Sequence, residues 1–179
     1  RLTRENVSVI CMHTNLDVAA GGVNDELAAA LRLEDPGPFL EDGLGRIGHL
    51  AEPVPLADFA ARTAAALNCN GLRYADAGKP VYRVAVGGGA CGEYADAAAA
   101  AGCDTFVTAD LSYHAFLDAA GKGINLIDAG HFPTEDPVCR VLIAYLQEQF
   151  PALSVEKSAS HREAIQYYVK GESDYVRTF

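Results

Sequence analysis

A histidine and a glutamate four residues apart, His131 and Glu135, follow a short apolar strand and could hold a metal ion together. The strand ends at Ile127, the chain turns at Gly130, and Pro133 can open a helix, because the first helical turn needs no N–H partner. If that helix begins near His131, both side chains share one face with their Cβ atoms about 5–6 Å apart. An imidazole and a carboxylate at this spacing are suitable ligands for one divalent cation. The alternative is a surface histidine ahead of an acidic residue that complements the helix dipole.

Polar clusters also follow other predicted strands, at His13–Asp17, Gly87–Gly92 and Asp110–His114. Ligands of α/β sheets bind beyond the carboxyl ends of the strands, so these clusters are expected to lie near one another. Asp17 would add a second carboxylate to the pair at His131 and Glu135. A carboxylate can bridge two cations, and paired cations suit hydrolysis, in which one activates water and the other polarises the substrate.

The segments that must position these residues alternate between the two types of secondary structure. Apolar runs predict strands at Val7–Met12, Gly71–Tyr74, Val81–Val86, Thr105–Thr108, Ile124–Asp128 and Leu153–Glu156. Amphipathic or alanine-rich stretches predict helices at Asp25–Leu33, Pro55–Leu67, Glu93–Ala101, Ser112–Ala120 and Thr134–Phe150. Glu34–Glu52, rich in proline and glycine, is predicted to be a loop. The alternation indicates an α/β fold, a largely parallel or mixed sheet with helices packed on it.

Size and charge narrow the functional classes. The 179 residues, 50% of them hydrophobic, suit one domain, expected at residues 1–171 with a polar tail at 172–179. A net charge of −10 disfavours nucleic acid as a partner. Five cysteines, an odd number without a Cys-x-x-Cys spacing, favour a reducing cytoplasm. No run approaches the roughly 18 apolar residues of a membrane span, and no signal peptide is visible.

A glycine motif supports a competing interpretation. Gly87-x-Gly89-x-x-Gly92 follows a strand, opens a helix, and precedes an acidic residue, Asp110, at the end of the next strand. This order is typical of a dinucleotide-binding site, which would respond to NAD(P) and not to chelators. The other explanation is a tight strand-to-helix turn in which glycine supplies a positive φ or room for close packing.

Taken together, these motifs resemble the dinuclear-metal-centre proteins known as GTP cyclohydrolase 1 type 2 homologues, the NGG1-interacting-factor-like family. The resemblance extends from about Val7 to Tyr168. Its matching stretches are His13–Asp17, Gly21–Asp25, Gly45–Gly48, Val84–Gly89, Val107–His114, Gly123–His131 and Thr134–Glu135.

The resemblance implies an α/β fold in two lobes, a toroidal homohexamer, and two divalent ions per subunit, Zn²⁺, Fe²⁺ or Mn²⁺. Carried over by motif, the metal ligands are Asp17, His131 and Glu135. Family members also use an adjacent histidine pair in a Gly-x-His-His-Pro stretch ahead of the first motif. This sequence has no such stretch, so the N-terminal part of the family domain is expected to be missing. A late family segment, His-x-Asp-Pro, appears here as His161–Ala164, which makes His161 a candidate for the rim of the site or for a structural role.

The resulting hypothesis is a metal-dependent hydrolase that activates water on a small, nucleotide-like substrate. Glu135 and His114 are the candidate catalytic residues, the latter because a strand-end histidine can move protons near neutral pH. Arg46 or the amides of the glycine loop are candidates to receive a phosphate. The alternative is a metal-binding scaffold that acts through protein partners and has no turnover of its own. Both hypotheses keep the same ligands, and the sequence does not separate them.

Overall fold

Six strands form one mixed sheet in the computed structural model, which describes residues 1–168. They are β1 Glu34–Pro38, β2 Arg46–Val54, β3 Arg73–Ala75, β4 Val81–Val86, β5 Thr105–Thr108 and β6 Asn125–Asp128. Their order across the sheet is β1-β2-β4-β5-β6-β3. The central strands β4, β5 and β6 are parallel, and the flanking pairs are antiparallel. The predicted α/β class with a mixed sheet is confirmed, whereas the tail predicted at 172–179 lies outside the described residues.

Within the described part of the chain there are seven α-helices, besides two short 3-10 helices at Leu2–Glu5 and Gly92–Tyr94. The α-helices are α1 Thr14–Asp17, α2 Val23–Ala30, α3 Leu56–Ala66, α4 Ala95–Ala100, α5 Tyr113–Lys122, α6 His131–Glu135 and α7 Val138–Gln149. The ends of α5 follow local chemistry: Ser112 accepts a hydrogen bond from the Ala115 N–H, and Gly123 stops the helix with φ +66°. Over residues 1–168, no helix has the length and apolar character required to cross a bilayer.

The sheet is covered on both faces, which explains the buried apolar residues at the centre of its parallel strands. One core cluster joins Leu27 of α2 and Phe59 of α3 to Val84 on β4. A second cluster joins Ala98 of α4 to Phe106 on β5. The alanines of α4 leave little side-chain bulk between helix and sheet, and Ala98 is completely buried.

Two predicted strands are wrong. Val7–Met12 is irregular and exposed, with Ile10 86% and Val9 60% accessible, and Leu153–Glu156 is also irregular. An apolar composition gives a strand only where a neighbouring strand supplies hydrogen-bond partners and another layer covers the side chains. Neither segment has such a neighbour among the sheet pairings of residues 1–168.

The loop predicted at Glu34–Glu52 is also wrong, because this stretch contains β1 and part of β2. β1 lies at the edge of the sheet, where the missing N–H groups of Pro36 and Pro38 need no neighbour on the outer side. β2 lies between β1 and β4. Gly48 fits there because a Cβ atom would lie 2.9 Å from the carbonyl oxygen of Glu34.

The helix predicted at Thr134–Phe150 is two helices, α6 and α7, separated at Asp136–Pro137. Pro137 has no N–H to continue the hydrogen-bond ladder, and within a helix its ring would clash with the carbonyl of Pro133. The break separates the short helix of His131 and Glu135 from the long α7.

Candidate metal centre

His131 and Glu135 meet at the carboxyl end of β6, where Gly130 with φ +90° turns the chain from strand into α6. Their side chains lie on one face of α6, with His131 Nε2 3.0 Å from Glu135 Oε1. Nitrogen and oxygen ligands of one tetrahedral cation lie about 3.4 Å apart, so a shift of a few tenths of an ångström would let both atoms bind one ion. The pair is therefore spaced to share an ion.

Asp110 fixes the orientation of the His131 ring. Its Oδ2 lies 2.7 Å from His131 Nδ1, which leaves Nε2 directed at Glu135. The hydrogen bond to Asp110 raises the pKa of His131, burial opposes the shift, and the charge of Glu135 adds to it. Metal-binding histidines commonly hold their second ring nitrogen on a carboxylate in this way. The sequence analysis assigned Asp110 no such part, although its position at the end of the neighbouring β5 was a usable signal.

Asp17 lies on α1 and lines a cavity of about 260 Å³ together with Glu135 and His13. Burial raises the pKa of Asp17, and the charges of His13 and His131 partly reverse that shift. Among the hydrogen bonds of residues 1–168, none reaches the Asp17 carboxylate, so this desolvated group would gain from a nearby cation.

The donor atoms of the three predicted ligands Asp17, His131 and Glu135 do not all lie within 4.8 Å of one another. Within residues 1–168, one group of three metal-ligating side chains has its donor atoms within 4.8 Å of one another, and it is Asp136, Cys139 and His161. Asp17 thus lines the same cavity as Glu135, but the three residues do not form such a close group.

The glycine loop after β4 closes around the His131–Glu135 pair. A Cβ atom on Gly89, which has φ +67°, would lie 2.5 Å from Glu135 Oε1 and 3.2 Å from His131 Nε2. Only glycine leaves this space at the two ligand atoms.

Three backbone amides of the glycine loop are already engaged with the protein. Gly88 donates to Asn24 Oδ1 at 2.9 Å, and Gly89 donates to Thr134 Oγ1 at 3.0 Å. Cys91 N–H donates to Thr108 Oγ1 at 3.1 Å. The loop is a packing turn around the candidate ligands, which removes the support for the dinucleotide interpretation.

Asn24 is a positioning residue that the sequence analysis did not identify. It is fully buried, and its Nδ2 donates to the backbone oxygen of Asp17 at 2.9 Å while its Oδ1 accepts from Gly88. One amide side chain therefore ties α1 to the glycine loop. A buried polar residue of this kind needs both partners, and those partners are distant in sequence.

The expectation that Arg46 receives a phosphate is wrong. Arg46 begins β2, is 8% exposed, and pairs through Nε and Nη2 with the Asp25 carboxylate. Its Nη1 donates to the carbonyl oxygens of Gly43 and Gly45, each at 2.8 Å. With these donors engaged, Arg46 joins β2 to α2 and has a structural role.

The other two histidines of interest occupy different surroundings. His114 is exposed on the first turn of α5, with its ring 6.0 Å from that of Tyr113. The contacts of residues 1–168 do not join it to His131 or Glu135. His161 lines the same cavity as Asp17, and its ring packs on Phe132 at 4.9 Å, which places it at the rim.

Comparison with known proteins agrees with the resemblance seen in the motifs. The chain is 38% identical over 159 residues to a "GTP cyclohydrolase 1 type 2 homolog" of Streptomyces coelicolor, a match that covers 82% of this chain and 56% of the relative. A protein with the same description from Pseudomonas aeruginosa is 38% identical over 154 residues, covering 83% and 60%. The chain spans about half the length of the curated relatives it matches.

Solved structures give the same result. The crystal structure of the Staphylococcus aureus hypothetical protein SA1388 superposes with a TM-score of 0.84 at 27% identity, covering 93% of this chain and 71% of that protein. Residues 1–164 match the Duf34/NIF3 (NGG1p interacting factor 3) family. A family match over most of the chain, together with these relatives, means that the protein belongs to the Duf34/NIF3 family.

Proposed function

We propose that the protein is a metal-dependent hydrolase-like member of its family, acting on a small, nucleotide-like molecule. The observation that supports this most directly is the arrangement of the His131–Glu135 pair. Two ligand atoms lie 3.0 Å apart, a carboxylate holds the other ring nitrogen, and a glycine leaves the space beside them open. An ion pair with a purely structural role does not require these three features to occur together.

In this proposal His131 and Glu135 would hold a divalent cation, and Asp17 would supply a further carboxylate from the same cavity. Imidazole and carboxylate ligands favour Zn²⁺, Fe²⁺ or Mn²⁺. The family resemblance adds a second ion, whose other ligands would come from outside this set of residues. When bound, such ions polarise a substrate oxygen and lower the pKa of water.

The residues of the chain itself have the following proposed roles. Asp110 holds the His131 ring, and Asn24 fixes the backbone at Asp17. The Glu135 carboxylate would accept a proton from the attacking water. His114 is proposed as a second acid–base group, on the exposed start of α5.

The test is the metal content of the purified 179-residue chain, measured by plasma mass spectrometry after reloading with Zn²⁺, Mn²⁺ or Fe²⁺. His131→Ala is the test variant. His49→Ala is its matched control, since His49 lies on β2 beside Tyr82. We expect His131→Ala to bind fewer metal ions per chain than the wild type and the control. The wild type and the control should also hydrolyse GTP above the rate in buffer.

Each other result has a definite meaning. Metal that is bound through His131 without hydrolysis of any nucleotide would contradict the hydrolase and favour the non-catalytic scaffold. An absence of metal in every reloaded sample would contradict both.

We also propose a homohexamer, a state that the family resemblance implies. The exposed apolar segment Val7–Met12 supports burial in an assembly, because soluble monomers seldom expose contiguous apolar surface. Light scattering on the eluted protein tests this, and a monomeric mass at micromolar concentration would contradict it.

A further inference from the structure

A second group of potential ligands lies where α6 meets α7. We propose that Asp136, Cys139 and His161 form a binding site for Zn²⁺ or another thiophilic divalent cation, separate from His131 and Glu135. Their donor atoms all lie within 4.8 Å of one another. The inference uses none of the proposed ligands of the hydrolase and does not depend on that function.

The measured separations fit a tetrahedral ion. Zn–N and Zn–O distances near 2.0–2.1 Å and Zn–S near 2.3 Å place N and O about 3.4 Å apart, and S and N about 3.6 Å apart. His161 Nε2 lies 3.4 Å from Asp136 Oδ1 and 3.9 Å from Cys139 Sγ. Only small rotations of the side chains are needed to bring the three atoms onto one ion.

The local fold holds two of the ligands together. Pro137 ends α6 and starts α7, which places Asp136 at the junction and Cys139 in the first turn of α7. The Cys139 N–H donates to the Asp136 carbonyl at 3.0 Å and fixes their relative position.

The third ligand comes from the segment after α7. The His161 N–H donates to the Ser158 carbonyl at 3.0 Å in a local turn, and the His161 ring packs on Phe132 at 4.9 Å. These contacts direct Nε2 toward Asp136 and Cys139.

A cation is already favoured at this position. The ammonium of Lys157 pairs with Asp136 Oδ1 and lies 5.5 Å over the ring of Phe132. A metal ion would displace Lys157 from the carboxylate, and the thiol of Cys139 would release its proton to solvent as the metal–sulfur bond forms. Removing the lysine charge should therefore strengthen metal binding.

The ion would have an open coordination position. Three protein ligands leave a fourth place on a tetrahedral ion, which is typical of sites that exchange water or a ligand. All three residues line the cavity of about 260 Å³ that also takes in Asp17 and Glu135. A ligand held in that cavity could therefore reach the ion.

Cobalt absorption separates this site from the other one. Co²⁺ bound to a thiolate gives a charge-transfer band in the near ultraviolet, and Co²⁺ held only by imidazole and carboxylate does not. We expect Co²⁺ to produce this band in the metal-free 179-residue chain, Zn²⁺ to remove it, and Cys139→Ser and His161→Ala to abolish or strongly reduce it. His131→Ala should retain it, so that failure of the hydrolase site and failure of this site are distinguishable.

Cys11→Ser is the matched control, because Cys11 is an exposed thiol outside the cluster. Competition with a chromophoric chelator should show Zn²⁺ affinity at least tenfold weaker in Cys139→Ser and tighter in Lys157→Met. Circular dichroism checks that each variant is folded. A band that survives Cys139→Ser, or no band at saturating Co²⁺ in the wild type, would overturn the proposal.

Discussion

At the scale of single residues, the candidate centre depends on side chains that orient the ligands as much as on the ligands. The clearest is Asp110, which holds His131 Nδ1 and leaves Nε2 free to bind. Removal of such a carboxylate typically weakens metal affinity by about 10–100-fold, because the ring loses its fixed tautomer and orientation.

We therefore expect Asp110→Asn to lose the preference for a proton on Nδ1 of His131 and to bind metal about 10–100-fold more weakly. Nitrogen NMR of the histidine rings in the metal-free protein reports the tautomer, and chelator competition reports the affinity. Asp96→Asn is the control, since it removes the same charge from the exposed side of α4. An unchanged His131 tautomer in Asp110→Asn would contradict the assignment.

The residue scale also marks the limit of sequence reasoning. His131 and Glu135 were found from their spacing, because a helix places residues four apart on one face. Asp110 and Asn24 were not assigned their roles. Each acts on a residue at least seven positions away, and those contacts become visible only when the strand order and the path of the loop are known.

At the scale of secondary structure, the ion pair of Asp25 and Arg46 connects α2 to β2. Burial raises the pKa of Asp25, but hydrogen bonds from Arg46 and from the Gly21 N–H, with the charge of Arg46, outweigh it and leave the pKa below its ordinary value. A depressed carboxyl pKa contributes stability above the ordinary pKa of the unfolded chain, and that stability is lost as pH falls through the folded pKa.

Asp25→Asn should consequently lower the free energy of unfolding at pH 7 by about 1–3 kcal/mol, since it leaves the buried Arg46 without its counter-charge. The difference from wild type should stay level down to about pH 5 and narrow below about pH 4. Urea unfolding of both proteins from pH 7 to below about pH 4 measures this difference in the free energy of unfolding. Asp118→Asn, on the exposed side of α5, is the control. A difference that grows as pH falls would show the opposite linkage and refute the assignment.

Strands could be predicted from the sequence where the local pattern of apolar residues agrees with their burial. β4, β5 and β6 were found because their apolar runs are buried on both faces. β1 and β2 were missed because their prolines and glycines look like a loop until the edge position of β1 is known. For Val7–Met12 the error was the opposite one: a strand was predicted where none exists, because an apolar composition does not provide a neighbouring strand.

At the scale of the whole molecule, stability should be concentrated in the parallel strands between the two core clusters. We expect amide hydrogens of Val84–Val86, Phe106–Val107 and Leu126–Ile127 to exchange most slowly, because they require global opening. Amides of Val7–Met12 should exchange fast in the monomer and become protected in the proposed hexamer.

Hydrogen exchange with mass spectrometry on the two size-separated species measures this contrast, and Leu153–Glu156, another irregular exposed segment, serves as an internal reference. Equal exchange of Val7–Met12 in both species would remove this segment from the assembly interface.

The contact of Gly89 with Glu135 has a consequence for the order of folding. Gly89 lies in the loop that follows β4, and Glu135 ends α6, which follows β6. β5 lies between β4 and β6 in the sheet, and Asp110 comes from the loop after β5. The ligand pocket thus forms only after three strands separated along the chain have aligned, late on the path to the native state. An ion that binds there would bind after the rate-limiting step of folding. It should therefore leave the folding rate almost unchanged and slow the unfolding rate, because it stabilises the native state and not the transition state.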